Sequence, residues 1–315
     1  MSRTIIKIPP LVLAAAAVSF STQSHASGFA LIENSASGQG NAFAGAAAYA
    51  QDAATVWFNP AGMMKLDKNE ILVAGHYISP SSSFTNGSSV DGLGNPMSGV
   101  NDDGGTDAFV ANFYWVTDIR EDMKFGLGVT TPFGLTTLYD DSWVGRYHAV
   151  ESDLKTININ PSIAYQVNEK LSIGGGINLM LADVTLTSMI DFGAVCYAAL
   201  NPATCDAQGA LPQQTDGFGD LTGDNFSDLS WGLNLGLMYD FTPETRVGVA
   251  WRSETKVKAK GDANFTVPAE ASFIQASGLF INTGLSAEIT LPQSVSVSLS
   301  HEMNKWQLLA DITWT

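Results

Sequence analysis

The segment Trp231-Gly232-Leu233-Asn234-Leu235-Gly236-Leu237-Met238-Tyr239-Asp240-Phe241 alternates large apolar residues with small or polar ones. Val295-Ser296-Val297-Ser298-Leu299-Ser300 does the same, and Ile157-Asn158-Ile159-Asn160 opens a third example. In a strand, period two places every large apolar side chain on one face. A soluble sandwich would carry Lys, Glu and Arg on the other face. Here that face is Gly, Ser, Asn and Thr, which suits a barrel interior packed against a plug. Aromatic residues gather near the expected strand ends (Trp115, Tyr165, Tyr239, Phe241, Trp251, Trp306, Trp314), as membrane-interface girdles require. The pattern predicts an all-β protein, a transmembrane antiparallel β-barrel whose apolar face meets lipid.

Strands are expected near 70–79, 108–118, 123–132, 153–167, 171–190, 227–241, 245–265, 290–303 and 306–315. Several exceed the roughly 9–11 residues that cross a bilayer and should project beyond it on one side. Asp118–Asp122, Asn168–Lys170, Thr242–Glu244 and Met303–Lys305 read as tight periplasmic turns, and 80–107, 133–152, 191–226 and 266–289 as long outer loops. Nine strands leave an open edge, and in lipid each unpaired backbone group costs several kcal/mol. Bacterial barrels usually close on an even number. The chain is still alternating at Trp314-Thr315, so the sequence reads as C-terminally incomplete, with a gap expected between its first and ninth strands.

Before the first strand come two segments of different character. Arg3 and Lys7 precede the apolar run Leu11–Phe20, and Ser24-His25-Ala26 offers small residues where a signal peptidase cuts. Residues 1–26 are therefore expected to be a signal peptide, too short in its apolar part to span a bilayer. Residues 27–67 are rich in Gly, Ala, Ser and Asn and close on Asn59-Pro60-Ala61. Such a segment cannot build a core of its own, yet it is too apolar for a solvated tail. It is expected to plug the lumen of a barrel formed by 68–315.

Composition fits an exported barrel. Charged residues make up 15% of the chain, against about 25% in ordinary soluble domains. Removing residues 1–26 takes away two cations and no carboxylate, so the net charge falls from −16 to −18. That balance repels phosphates and argues against nucleic acid.

The stretch from Ser27 to Ala61 strongly resembles the N-terminal hatch of the FadL/TodX-type outer-membrane long-chain fatty acid transporters. Ser27-Gly28-Phe29 looks like the mature start, Ser37-Gly38-Gln39-Gly40 like a turn, and Asn59-Pro60-Ala61 like the hatch signature. Thr131-Pro132-Phe133-Gly134-Leu135, Trp143-Val144-Gly145-Arg146-Tyr147, Val247–Glu254 and Leu291–Val295 resemble later family segments, in the right order. The resemblance implies a 14-stranded barrel, of which about nine strands are present here. It also implies passive uptake of long-chain fatty acids or similar hydrophobic compounds across a Gram-negative outer membrane. Aromatic hydrocarbons would need the same apolar path and remain an alternative. The expected surroundings are outer-membrane lipid and lipopolysaccharide, with no cofactor and a monomeric state.

Candidate site residues follow from that picture. Phe273, Ile274, Leu279, Phe280 and Ile281 in the loop 266–289 would form an outer capture surface, unless the loop folds onto a small core of its own. Arg146 and Arg252 are the candidate partners of a carboxylate, because a guanidinium forks it and stays charged. The ordinary alternatives are an exposed loop charge for Arg146 and an ion pair with Glu254 or Asp52 for Arg252. Phe29 would reach the substrate site or simply pack. Asn59, Pro60 and Ala61 would gate the hatch. Pro132 would open a strand edge or merely end the strand.

Other chemistry finds less support. Cys196 and Cys205 are the only thiols and, in an oxidising compartment, are expected to form a disulfide. They give no zinc site, since no His clusters with them. No G-x-S-x-G occurs, and His76, His148 and His301 are well separated. A barrel enzyme such as a lipase would need a Ser or Asp beside a His at the outer rim, and it would need no plug. A general porin would want an open, charged lumen. Asp216, Asp220, Asp224 and Asp228 recur every fourth residue and suggest a solvated acidic loop, with divalent-cation binding as the alternative.

Overall fold

The computed structural model describes residues 28–226 and 228–315; the expected signal peptide and Ser27 lie outside the described residues. In chain order the first strands are β1 (Glu70–Ile78), the short pair β2 (Ser83–Phe84) and β3 (Asp102–Asp103), β4 (Ala108–Arg120), β5 (Met123–Thr130) and β6 (Gly134–Leu138). There follow β7 (Glu151–Gln166), β8 (Leu171–Asp191), β9 (Asp216–Asp224), β10 (Ser230–Thr242) and β11 (Thr245–Arg252). The last are β12 (Thr255–Thr266), β13 (Thr283–Leu291), β14 (Ser294–Met303) and β15 (Trp306–Trp314).

Nine of these form one antiparallel path, β1-β4-β5-β7-β8-β10-β11-β14-β15. The tight turns after β4, β7, β10 and β14 all fall at the same end. Among the described residues, β1 pairs only with β4 and β15 only with β14. The alternation runs as lipid demands. On β10, Ser230, Gly232 and Asn234 are buried, whereas Trp231, Leu233, Leu235 and Leu237 are 40–65% exposed. β1 repeats the pattern, with Ile71, Val73 and Tyr77 pointing outward. Lipid receives these side chains at about 1.5–3 kcal/mol each relative to water. At the turn end, Trp115 packs edge-on against Phe125 and Tyr239 against Phe241, as in an interfacial girdle.

The expected strand over 245–265 is two strands with different partners. Ser253 and Glu254 break it, and β12 leaves the nine-strand path to pair with β9 and β13. The sequence carries the reason. Lys256, Lys258 and Lys260 occupy the exposed face of β12, and Lys facing the bilayer midplane costs about 2–4 kcal/mol. The segment therefore belongs above the membrane, where β9 joins it to the projecting half of β8.

The expected loop 191–226 is likewise built. The helices here are numbered after three in the N-terminal segment: α1 (Ala36–Gly40), α2 (Ala46–Tyr49) and α3 (Thr55–Phe58). The loop holds α4 (Phe192–Ala199) and α5 (Pro202–Gln208). The Asp191 side chain caps α4 by accepting from the Ala194 N–H, and Asn201 caps α5 with Pro202 at its first position. A disulfide joins Cys196 to Cys205 across the two helices, with Cα atoms 6.0 Å apart. The bridge sits in a small core with Phe192, Ala210, Ala271 and Ile274. Asp216, Asp220 and Asp224 of the aspartate repeat lie on strand β9, and Asp228 lies in the connection to β10. Asp216 is paired, and among the described residues no acidic group is arranged to hold a metal ion.

Residues 28–66 pack on the polar face of the sheet. α2 lies against β11, β14 and β15; the 3-10 turn Pro60–Lys65 lies against β5, β7, β8 and β10. Two wall glycines make this approach possible. A Cβ on Gly236 would strike Asn59 Oδ1, and one on Gly248 would strike the Ala47 carbonyl. Side chains of the wall also bond the plug backbone. The Asn112 amide donates to Glu33 O at 2.7 Å, the Tyr114 hydroxyl donates to Asn34 O at 2.7 Å, and Ser298 Oγ accepts from Ala47 N at 3.1 Å.

Two tests follow. Gly236→Ala should loosen residues 46–62 by overpacking, at about 1–3 kcal/mol. Gly175→Ala, on β8 and facing the flexible Leu235 side chain at 3.1 Å, should be tolerated. Hydrogen exchange of residues 46–62 reads the difference; equal protection in both variants would refute the close seat. Replacing Cys196 and Cys205 with Ser should loosen the outer cap by about 2–3 kcal/mol while the barrel keeps its heat-modifiable migration. Protease cleavage within 192–215 is the readout.

Candidate functional site

The start of the described chain closes a gap in the barrel wall. Between β5 and β6, Thr131-Pro132-Phe133 loops out of line. Thr130 stands opposite Asn158 and Gly134 opposite Lys155, so three residues face two, which is a bulge. β5 stops at Thr130, two residues before Pro132, and pairing with β7 resumes on β6 at Gly134. Two backbone bonds then join the N-terminal segment to the bulge: Leu31 N donates to Pro132 O at 2.9 Å, and Gly134 N to Phe29 O at 2.9 Å. The Phe29 and Phe133 rings lie 5.7 Å apart. Thr156 Oγ1 accepts from Phe133 N at 3.0 Å and donates to its carbonyl at 2.7 Å, fixing the bulge from β7.

Behind this contact lies a cavity of about 360 Å³ between plug and wall, within the range of small-molecule sites, about 300–1,000 Å³. Leu31, Phe43, Trp57, Phe58 and Phe133 line it, together with Arg252. Arg252 ends β11 with its guanidinium 3.6 Å from the centroid of the Trp57 ring. It donates to Trp57 O at 2.7 Å and to Asn178 Oδ1. Among the described residues no carboxylate lies within ion-pair distance of it, so the pairings considered with Glu254 and Asp52 are not formed. Asp52 instead accepts from Ser37 Oγ and from Ala54 N within the plug.

Asn59, Pro60 and Ala61 are all buried beside this cavity. Asn59 Oδ1 accepts from Ala61 N at 3.1 Å; its Nδ2 donates to Ala47 O at 2.7 Å and to Leu237 O on β10 at 3.1 Å. The side chain thus joins two turns of the plug to the barrel.

Arg146 is placed elsewhere and is neither free nor exposed. It is 5% exposed, and its Nε donates to Asp216 at 3.1 Å. Other donors reach Ser98 O at 2.7 Å and the Tyr147 oxygen at 2.8 Å. Tyr147 in turn donates to Asp216 at 2.6 Å. Burial first, and then the Asp216 carboxylate, push the Tyr147 phenol well above its ordinary value. Arg146 is a clasp between the outer loops and β9.

The loop 266–289 is divided. Ile274 is 5% exposed and Phe273 packs beside it, contrary to an exposed capture cluster. Phe280 meets Phe192 at 4.9 Å and Phe265 at 5.6 Å. Here the loop folds onto a core of its own, because the disulfide-tied helices supply an apolar partner. Leu279 and Ile281 stay more than half exposed.

Sequence reasoning missed Trp57, Phe43 and Phe58, whose plug positions have no strand periodicity to reveal them. It also missed Asn178 and Asn234, although both are inward polar positions of the alternation.

Residues 17–315 match the profile of the family described as outer membrane protein transport protein (OMPP1/FadL/TodX). The long-chain fatty acid transport protein of Salmonella typhi is 30% identical over 257 residues, covering 81% of this chain and 57% of that protein. The 47 kDa outer membrane protein of Pasteurella multocida is 32% identical over 303 residues, covering 94% and 67%. The chain thus spans little more than half of the first and two-thirds of the second. In fold, it superposes on a Pseudomonas aeruginosa FadL homologue with a TM-score of 0.78 at 23% identity, over 91% of this chain and 69% of that one. The Pseudomonas putida toluene transporter TodX gives 0.52 at 19%, over 83% and 65%. Both the family and its fold are those of outer-membrane β-barrels concerned with transport rather than catalysis. The chain belongs to the outer membrane protein transport family, OMPP1/FadL/TodX.

Proposed function

We propose that this chain is the plug-bearing part of a passive outer-membrane channel for long-chain fatty acids or similar hydrophobic compounds. The observation that carries this reading is the apolar cavity between plug and wall, with a guanidinium at its edge that no carboxylate among the described residues pairs. Residues 27–67 act as the hatch and 68–315 as the barrel wall. Leu279 and Ile281 offer an apolar landing surface outside. A substrate then passes to the cavity, and the bulge at Pro132 beside Phe29 is the exit through the wall. Arg252 meets the carboxylate of an acid, which favours fatty acids over aromatic hydrocarbons.

Radiolabelled oleate uptake by cells with matched surface levels tests the hatch. Asn59→Ala with Pro60→Ala removes bonds that net about 0.5–1.5 kcal/mol each; uptake should fall while insertion persists. Wild-type uptake would leave hatch gating without support. A second measurement addresses substrate class. Arg252→Gln should weaken oleate binding about tenfold, the loss of one charge-assisted contact, and leave toluene binding unchanged. Loss of toluene binding with oleate unaffected would favour the hydrocarbon reading.

A further inference from the structure

We propose that Asn234 is a second head-group donor, gripping a substrate carboxylate together with Arg252. The inference rests on the uptake reading above and deepens it by naming a residue that selects for an acid.

Asn234 and Arg252 are direct cross-strand partners on β10 and β11. Side chains so paired share a face, with Cβ atoms about 4.5–5.5 Å apart, and both residues line the cavity. Asn234 is 2% exposed. Its Oδ1 accepts from Asn160 Nδ2 at 2.9 Å and from Asn178 Nδ2 at 3.3 Å. Its own Nδ2 is shut off from solvent and has no partner among the described residues. A buried donor left unmade costs about 1–3 kcal/mol.

The amide cannot escape this by flipping, because its neighbours are fixed in turn. Asn160 Nδ2 also donates to Ile177 O at 2.9 Å, and the next residue on β7, Pro161, has no N–H to offer that strand. Asn178 Oδ1 accepts from Arg252 and from Asn158 Nδ2 at 3.2 Å, so its NH2 group must face Asn234. A flipped Asn234 would set its NH2 against two others. What the site lacks is an acceptor. Arg252 commits two of its donors to Asn178 and Trp57, and a guanidinium has five. A carboxylate carries two oxygens and so can take one bond from each residue. A hydrocarbon can take neither.

Asp311 also lines the cavity, but on β15 opposite Ser298, which lies opposite Gly248. That places it four residues along and two strands across from Arg252, about 16 Å away by strand spacing. Its carboxylate accepts from Gly45 N at 3.3 Å. A negative charge at that end repels an anionic head and leaves the Arg252 end as its seat.

The test uses the purified full-length protein in detergent, titrated with oleate and with 8-heptadecene, the same chain without its carboxylate. Asn234→Leu should weaken oleate binding about tenfold, one charge-assisted bond lost, and change 8-heptadecene binding by less than about twofold. Asn234→Asp keeps the acceptor for Asn160 and Asn178 but sets a carboxylate beside Arg252, so its loss for oleate should be larger. Equal losses for both ligands would reduce Asn234 to a packing role and overturn the proposal. So would unchanged oleate affinity in either variant; should Asn234→Leu fail to fold, Asn234→Asp decides alone. A wild-type protein that binds neither ligand would overturn the uptake reading itself, and one that binds only 8-heptadecene would overturn the head-group pair while leaving apolar uptake standing.

Discussion

A backbone amide in the hydrocarbon core of a membrane has no water to turn to, and most of this structure answers to that constraint. Along the nine-strand path the strands pair their N–H and C=O groups with their neighbours, β1 and β15 on one side only among the described residues, and turn apolar residues outward. The inner face then holds what lipid would reject: Asn112, Asn158, Asn160, Asn178, Asn234 and Ser298 are all buried there. These groups need partners too. An irregular plug supplies them to Asn112 and Ser298, since its short helices and turns leave carbonyls and amides unpaired within the segment, while Asn158, Asn160, Asn178 and Asn234 bond one another. Wall side chains and plug backbone satisfy one another, as in the bonds from Asn112 to Glu33 O and from Arg252 to Trp57 O. Glycines at the closest crossings let the two backbones approach.

The legible part of the sequence was the part with a period. Alternation over Trp231–Phe241 placed β10 within a few residues and assigned its faces, because lipid on one side admits only one register. The same reasoning erred where the strand left the membrane. The segment 245–265 kept its alternation through the break at Ser253-Glu254, and only the exposed lysines of β12 betray the change of surroundings. The outer loop 191–226 was opaque for another reason. Its helices depend on a disulfide and on a small core drawn from two distant segments, 192–210 and 271–274. Nothing local announces such a contact. Arg146 failed similarly as a free cation, since its partners Ser98 and Asp216 come from a distant loop and from the start of β9. Arg252 could be nominated from scarcity of cations alone. Its lack of a carboxylate partner was visible only in three dimensions.

The plug is held by unlike forces at its two ends. Near the tight turns, Lys65 pairs with Asp240 at 2.6 Å, and Arg246 shares that carboxylate. Beside them Lys124 donates to Leu66 O at 2.6 Å while pairing with Asp118. Lys65, Lys124 and Asp240 keep only 7–18% of their side-chain surface exposed, whereas Asp118 keeps 49%, so these pairs lie between buried ones and surface ones of about 0.2–1 kcal/mol. Near the outer end, besides the backbone bonds of Leu31 and Phe29 to the bulge, the tie is Arg252 stacked on Trp57, a contact of about 0.5–2 kcal/mol, with one bond to the Trp57 carbonyl. Ion pairs thus hold the inner end, and among the described residues none ties the plug beside the cavity. An anion held by the spare donors of Arg252 would sit beside the Trp57 contacts, whereas it would have no purchase on the Lys65–Asp240 pair. The uptake reading proposed above would therefore couple ligand binding to the plug through the guanidinium at the outer end, with the ion-paired inner end as the fixed point.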